Sequence, residues 1–295
     1  MDSGKNYILF NPISGAGRAR ARAEAVGQAL RDAGLEAVLL ETRREAAEGW
    51  LDPALPGASA LVVCGGDGAV RLASGSASRA GVPILQCPSG TENLFARAFG
   101  MRPDPNAIVA AVQAGRTRRI DTAEANGEPF LIMASIGFDA EVVHDLAVHR
   151  DGPISHWSYL RPILRQLRQW VAPRLKVSVD GDLVADAEAF AIVGNLRQYA
   201  RGLDPARLAD PTDGLLDALV FPARRAGSLV RWAVEIATGL HVHDRRLAYR
   251  VGRRIEIEAS TPIRMQLDGD AADGPASTNV RIEIRPASLD VLLPA

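Results

Sequence analysis

The sequence predicts an α/β fold in two domains, and three observations carry that prediction. In its first 120 residues, short β-like runs alternate with helical patterns, the grammar of a parallel sheet covered on both faces. From about Asp121 onward strand-like segments dominate, several joined by Gly/Asp turns, which is the grammar of a mostly antiparallel domain. The chain has 295 residues, 47% of them hydrophobic, enough for two cores of ordinary size.

In the first domain the β-like runs are Tyr7 to Phe10, Ala37 to Leu40, Ala60 to Cys64 and Pro83 to Gln86, with helical stretches such as RARARAEAVGQALRDAG between them. Ligands of such sheets gather at the carboxyl ends of the strands. The strand-like segments of the second domain are GEPFLIMASIGF, RLKVSVDGDLVADAEAFAIVGN, GLLDALVFPA, RRIEIEA, PIRMQLDGD and NVRIEIRPASLDVLL. The short AEANGE turn is the expected boundary, giving domains of 1–121 and 122–288. For the last strand, about 289–295, a return to the first domain is left open.

Composition narrows the partners. A formal net charge of -1 gives no global attraction to nucleic acid, so any polyanion contact is a local patch. The two cysteines, Cys64 and Cys87, sit near the ends of apolar runs without metal-ligand spacing and read as reduced and structural. No apolar run reaches the ~18 residues of a spanning helix, and the N-terminus has no signal-peptide pattern. A cytoplasmic protein is expected.

Three segments end strands and open helices. In CGGDGA, Gly65, Gly66 and Gly68 let backbone N–H groups approach a ligand without an intervening Cβ. The helix that follows points its positive end at the same place. Such a loop suits phosphate. Asp67 would repel phosphate unless a divalent cation lay between them, so this carboxylate points to Mg²⁺; a tight turn with an Asp cap is the plainer alternative. NPISGAGR places Asn11, Pro12, Ser14 and Gly15 at a second strand end, and PSGTENLFARAFG places Gly90 and the Thr91 hydroxyl at a third. Neither a Walker A loop nor a full dinucleotide fingerprint is present. Together the three loops indicate a nucleotide site.

NPISG, CGGDGA, SGTENLFAR, SIGFDAE, DPTDGLLD and LDGD occur in the order found in the diacylglycerol kinase catalytic-domain family, which this chain resembles over nearly its whole length. The family includes bacterial lipid kinases, is akin to sphingosine kinases and more distantly to NAD kinases. The resemblance implies a Rossmann-like α/β domain and a β-sandwich domain with an ATP site in the cleft between them. It implies that Asn11 to Gly15 and Gly65 to Gly68 hold ATP phosphates, that Thr42 and Thr91 line the nucleotide, and that Asp67 works through Mg²⁺. It also makes Asp213 a metal ligand, assisted by backbone carbonyls near Asp210 and Leu215; without it, Asp213-Gly214 reads as a plain turn. Two departures stand out. The family's GGDGT is GGDGA here, with Arg71 where Asn is usual, and Arg71 could supply the lost phosphate contact or be a solvated helix residue. The family's Asp-Gly-Glu is Asp268-Gly269-Asp270, a shorter carboxylate in the position of the expected base.

Phosphoryl transfer to an alcohol requires the γ-phosphate held and neutralised, and the attacking hydroxyl relieved of its proton. Asp270 is the candidate base; Asp268 either orients it or sits at the turn. Asp121 and Asp139 have a water network around the metal and a structural cap as equal options. The stretch HWSYLRPILRQLRQWV sets Leu160, Leu164, Leu167 and Val171 in one helical stripe beside Arg161, Arg165 and Arg168, flanked by Trp157 and Trp170. Such a helix can rest on an anionic membrane or pack on the sandwich with a solvated basic face. The expected function is ATP-dependent phosphorylation of a lipid hydroxyl, diacylglycerol first, at the inner membrane surface. The alternatives are another lipid or soluble acceptor, NAD included, or a weakened nucleotide- or lipid-binding protein. A homodimer is left open, and no nucleic-acid partner is expected.

Overall fold

The computed structural model describes residues 4–12, 18–149, 156–199 and 202–295. The chain divides into two compact units, 1–120 with 287–295, and 121–286. The AEANGE segment is therefore not the boundary: it forms a hairpin inside the second unit.

The first unit runs β1 (Asn6–Phe10), α1 (Arg18–Asp32), β2 (Ala37–Glu41), α2 (Ala47–Trp50), β3 (Ala60–Gly65), α3 (Asp67–Ala80), β4 (Ile84–Pro88), α4 (Leu94–Ala98) and α5 (Pro105–Ala114). All pairings of β1 to β4 are parallel, in the order β2-β1-β3-β4. Every residue of β3 and β4 is buried, Gln86 included, as strands covered on both faces should be. The chain steps from β1 outward to β2 and from β3 outward to β4 in opposite directions. With right-handed crossovers, α1 and α3 then lie on opposite faces, and the gap between the ends of β1 and β3 is a topological switch point. The last strand returns here: Val291 pairs in parallel with Ile84, Arg119 forms an ion pair with Asp290, and Ser78 Oγ donates to the Ser288 carbonyl at 2.6 Å.

The second unit contains β5 (Thr117–Ala125, entering from the first), β6 (Glu128–Phe130), β7 (Met133–Ile136), α6 (Phe138–Val148), α7 (Leu160–Gln169), β8 (Arg174–Val179), β9 (Asp182–Gly194), β10 (Leu216–Pro222), α8 (Ala226–Thr238), β11 (Ala248–Gly252), β12 (Arg254–Ile263), β13 (Met265–Leu267), β14 (Asp270–Ala271) and β15 (Ser277–Leu292, leaving for the first). Its strand pairings are antiparallel. The long β9 pairs with β8 through its first half and with β7 and β10 through its second, so one strand serves two sheets, the usual way a sandwich turns its corner. Their inner faces share a core that includes Phe130, Leu175, Val177, Leu216, Ile255, Leu267 and Ile282.

Three hairpins of this unit close with two-residue turns whose backbones are both left-handed: Asn126-Gly127 (φ 49° and 86°), Asp180-Gly181 (51° and 92°) and Asp268-Gly269 (53° and 91°). Asn-Gly and Asp-Gly are the dipeptides that adopt this geometry most readily, and the turn matches strand twist. The third of these hairpins carries the candidate base.

Candidate functional site

In the first unit, two of the predicted phosphate loops are laced together by backbone. Ser89 N–H donates to the Gly65 carbonyl at 3.1 Å, and the Gln86 side-chain amide donates to the same carbonyl at 3.0 Å. Beyond these bonds the chains touch. A Cβ on Gly90 would lie 2.7 Å from the Gly66 Cα, and one on Gly65 would lie 2.6 Å from the Ala69 Cβ. Glycine is required at 65 and 90 by space rather than by φ, and a small residue at 69 fits against Gly65. Asn93 closes the second loop with two bonds to Gly90, accepting from its N–H at 2.8 Å and donating to its carbonyl at 2.9 Å.

Asp67 joins the same lacing. It is the first residue of α3, and its Oδ2 and Oδ1 accept the N–H groups of Leu94 and Phe95, each at 2.9 Å. A carboxylate at the start of α3 thus serves the start of α4, satisfying two donors that α4 leaves unpaired. The capping alternative raised by the sequence is present in the structure. Arg71 stands one turn after Asp67 on the same helix face and is half-buried. Thr42 N–H donates to the Phe10 carbonyl at 2.9 Å, tying the end of β2 to β1. Asn11 and Pro12 follow β1, half-buried, while Gly90 and Thr91 are exposed. Ser14 and Gly15 lie outside the described residues. Sequence reasoning passed over Ser89, whose buried Oγ has no hydrogen-bond partner. Buried hydroxyls are normally paired, and this one lies at the seam between the two loops.

In the second unit, the carboxylate of Asp268 is buried and accepts three backbone N–H groups, from Leu131 at 2.8 Å, Ile132 at 2.8 Å and Met133 at 3.0 Å. Of the two roles left open for Asp268, these bonds are those of a residue that sits at the turn and holds it. Its bonds anchor the hairpin to the segment before β7, and its left-handed φ suits the turn. Asp270, across the turn, is exposed. The neighbouring network reaches further than the sequence indicated. Asp139 accepts from Ser135 Oγ at 2.6 Å, from the Tyr199 hydroxyl, and from Gln266 Nε2 at 3.1 Å. Gln266 Oε1 in turn accepts from Gly269 N–H at 2.7 Å. Asp139 is thereby connected through one side chain to the turn that presents Asp270. The alternation that puts Gln266 and Ser135 beside each other is a register fact, Gln266↔Ser135.

At the predicted metal turn, Asp210 Oδ1 accepts from Thr212 N–H and Oγ1, Asp213 Oδ1 accepts from Leu215 N–H at 2.9 Å, and Asp121 Oδ2 accepts from Gly214 N–H at 2.8 Å. Burial pushes the Asp217 carboxyl up to about 6, a hydrogen bond from the Tyr249 hydroxyl opposes this, and the Asp213 charge adds to it. Among the described residues no three His, Cys, Asp or Glu side chains converge as a metal cage. The expected donors, Asp213 with the carbonyls of Asp210 and Leu215, are hard oxygens of the kind that suit Mg²⁺.

Helix α7 exposes Leu160 and Leu164 together with Arg161, Arg165 and Arg168. Arg165 is committed to Asp145 at 2.6 Å. Trp170 does not flank an outer face as expected: its Nε1 donates to the Ala223 carbonyl at 2.6 Å and its ring meets Phe138 edge-on at 5.6 Å. The side chain of Trp157 lies outside the described residues. No helix among the described residues is long and apolar enough to cross a membrane.

Comparison with known proteins places these features. Residues 5–125 match the diacylglycerol kinase catalytic domain, and residues 133–293 match the YegS C-terminal NAD kinase beta sandwich-like domain. The chain is 30% identical to a diacylglycerol kinase of Mycobacterium tuberculosis, over 99% of this chain and 96% of that protein. It is 31% identical to a protein designated YegS-like lipid kinase from Pseudomonas aeruginosa, over 100% of this chain and 96% of the other. Among solved structures, a diacylglycerol kinase from Bacillus anthracis str. Sterne superposes with a TM-score of 0.68 at 18% identity, covering 99% of this chain and 98% of that one, a likeness of fold.

Proposed function

This chain belongs to the family of diacylglycerol kinases and YegS-like lipid kinases, and from that membership we propose that it transfers the γ-phosphate of ATP to the hydroxyl of diacylglycerol, giving phosphatidic acid. A lipid kinase is what the family establishes; the acceptor is our reading. Supporting it is the 30% identity to a diacylglycerol kinase along the whole chain. The observation that carries the phosphoryl-transfer chemistry is the lacing of the two glycine loops at the end of a parallel sheet, where backbone N–H groups meet anions without a Cβ in the way.

We assign the nucleotide to the first unit and the acceptor to the second. Asn11, Pro12, Gly65, Gly66, Gly68, Gly90 and Thr91 cradle phosphates, with Ser89 added and Arg71 as a guanidinium donor to them. Asp67 holds the two loops in register through Leu94 and Phe95 while leaving lone pairs on both oxygens. Asp270 takes the proton of the acceptor hydroxyl as the new P–O bond forms. Asp268 and Asp139, through the amides of 131–133 and through Gln266, fix where Asp270 stands. A divalent ion, Mg²⁺ by the hardness of these donors, would be held by Asp67 with the phosphates and at the second-unit turn by Asp213 with the carbonyls of Asp210 and Leu215. When bound it supplies charge neutralisation at the transferring phosphoryl group. The exposed leucines and arginines of α7 suit peripheral contact with an anionic membrane, where the acceptor resides.

The test offers labelled ATP with diacylglycerol, phosphatidylglycerol, a sphingoid base, undecaprenol and NAD in turn. Phosphatidic acid as the dominant product supports the reading, and preference for any other acceptor replaces it. Nucleotide binding without turnover on any acceptor would favour a binding protein.

A further inference from the structure

Cys64 and Cys87 stand directly opposite each other on the neighbouring parallel strands β3 and β4. Residues in this register project to the same face of the sheet, and neighbouring strands lie ~4.8 Å apart, inside the ~4.4–6.8 Å over which a disulfide spans two Cα atoms. Both cysteines are free and buried, and the acidity of each thiol is set first by the other. A cavity of about 350 Å³ is lined by Cys87, by Arg18, Arg22 and Val26 of α1, and by Pro103 and Pro105. We propose that Cys87 is a peroxide-reactive thiol and Cys64 its resolving partner, so that a hydroperoxide entering this cavity closes a disulfide between the two strands that carry the glycine loops.

The two thiols are not equivalent. The hydrogen bond with Cys87 and burial push the Cys64 thiol up, so Cys64 keeps its proton. The same bond and the Arg22 guanidinium draw the Cys87 thiol down against the effect of burial. The nucleophilic form is the thiolate, and of the two cysteines it is Cys87, the one that lines the cavity, whose surroundings favour it. In the first step the Cys87 thiolate attacks one peroxide oxygen: an S–O bond forms, the O–O bond breaks, sulfur is oxidised to the sulfenic acid, and the peroxide leaves as an alcohol or water after taking up a proton. In the second, the Cys64 sulfur attacks the Cys87 sulfur. An S–S bond forms, the S–O bond breaks, and the departing hydroxide takes the Cys64 proton as water.

Position gives the reaction its consequence. Cys64 immediately precedes Gly65, and Cys87 is two residues before Ser89, whose N–H bonds to the Gly65 carbonyl. A covalent link at that level draws the strands together beneath the Gly66–Gly90 contact. As a control of nucleotide binding the inference rests on the lipid-kinase reading; as thiol chemistry it does not, and the test reads the thiols. Full-length protein is exposed to hydrogen peroxide, unfolded, alkylated and weighed intact. Wild type should lose both alkylatable thiols, fall in mass by two hydrogens as a monomer, and recover with dithiothreitol, with peptide mapping showing Cys64 joined to Cys87. In Cys64→Ser, dimedone should mark Cys87; in Cys87→Ser, Cys64 should remain alkylatable at the same dose. Should a serine variant fail to fold, the peptide map of wild type decides alone. Two thiols still alkylatable in wild type, an intermolecular link, or dimedone on Cys64 in preference to Cys87 would overturn the proposal.

Discussion

Gly66 and Gly90 meet backbone to backbone, and Gly90 has no room for a side chain: a Cβ there would lie 2.7 Å from the Gly66 Cα, whereas one on Gly66 would lie 3.3 Å from the Gly90 Cα. The contact is between main-chain atoms that cannot swing aside, so Gly90→Ala has to separate the two loops. We expect it to destabilise the protein by about 1–3 kcal/mol and to weaken nucleotide binding together with turnover. Gly227→Ala, in α8 where an added Cβ meets nothing within 4 Å, should leave the melting temperature unchanged or raised. Thermal melts and nucleotide titration of both variants check this; an unchanged Gly90→Ala would refute the contact.

Asp67→Asn is not a silent removal of charge. Asparagine offers one acceptor where Leu94 and Phe95 present two donors, and its amide N–H would face one of them. Leaving a donor unsatisfied costs about 1–3 kcal/mol. The variant should therefore lose stability as well as turnover. Asp67→Glu, which keeps both oxygens on a longer stem, should recover part of the stability in a denaturant titration.

The two carboxylates of the 268–270 hairpin should separate by phenotype. Asp268→Asn deprives three buried amides of a full acceptor set and should lower stability by about 1–3 kcal/mol, with activity falling alongside. Asp270→Asn should leave the melting temperature in place and reduce turnover ~10²–10⁴-fold without loss of nucleotide binding. Equal turnover in wild type and Asp270→Asn would remove that residue from the mechanism.

On α7, Arg161 and Arg168 are exposed and form no ion pair among the described residues, whereas Arg165 is bound to Asp145. The double variant Arg161→Gln/Arg168→Gln should thus weaken binding to vesicles rich in anionic lipid by about 1 kcal/mol per charge, without loss of fold. Salt-insensitive vesicle binding, or none by wild type, would count against this face.

The positions of β1 to β4 were readable to within a residue or two because each is a short, mainly apolar run between helical stretches. The LDGD turn was equally plain, since Asp-Gly selects its own backbone geometry. What the sequence hid was partnership. Nothing near Asp67 announces that its oxygens serve amides 27 and 28 residues away, and nothing in LDGD shows that Asp268 reaches residues 131–133. Both carboxylates belong to short motifs, and both tie distant backbone segments together in space. Trp170 misled for the same reason: its neighbours in the chain are basic and exposed, but Phe138 and Ala223 come from distant segments. Ser89 was overlooked because a serine beside glycine reads as loop, and only its burial without a partner sets it apart.

The return of residues 287–295 to the first unit orders events on the ribosome. Strand β4 has Val291 as its neighbour on the side away from β3, and that residue is synthesised after the whole of 121–286. Throughout elongation the emerging nucleotide-binding unit therefore presents an unpaired parallel edge beside a fully apolar strand, the kind of template to which other strands adhere. Closure of the unit is a late, long-range event, so a nascent or truncated chain ending at residue 120 should depend on chaperones in a way the full-length chain does not.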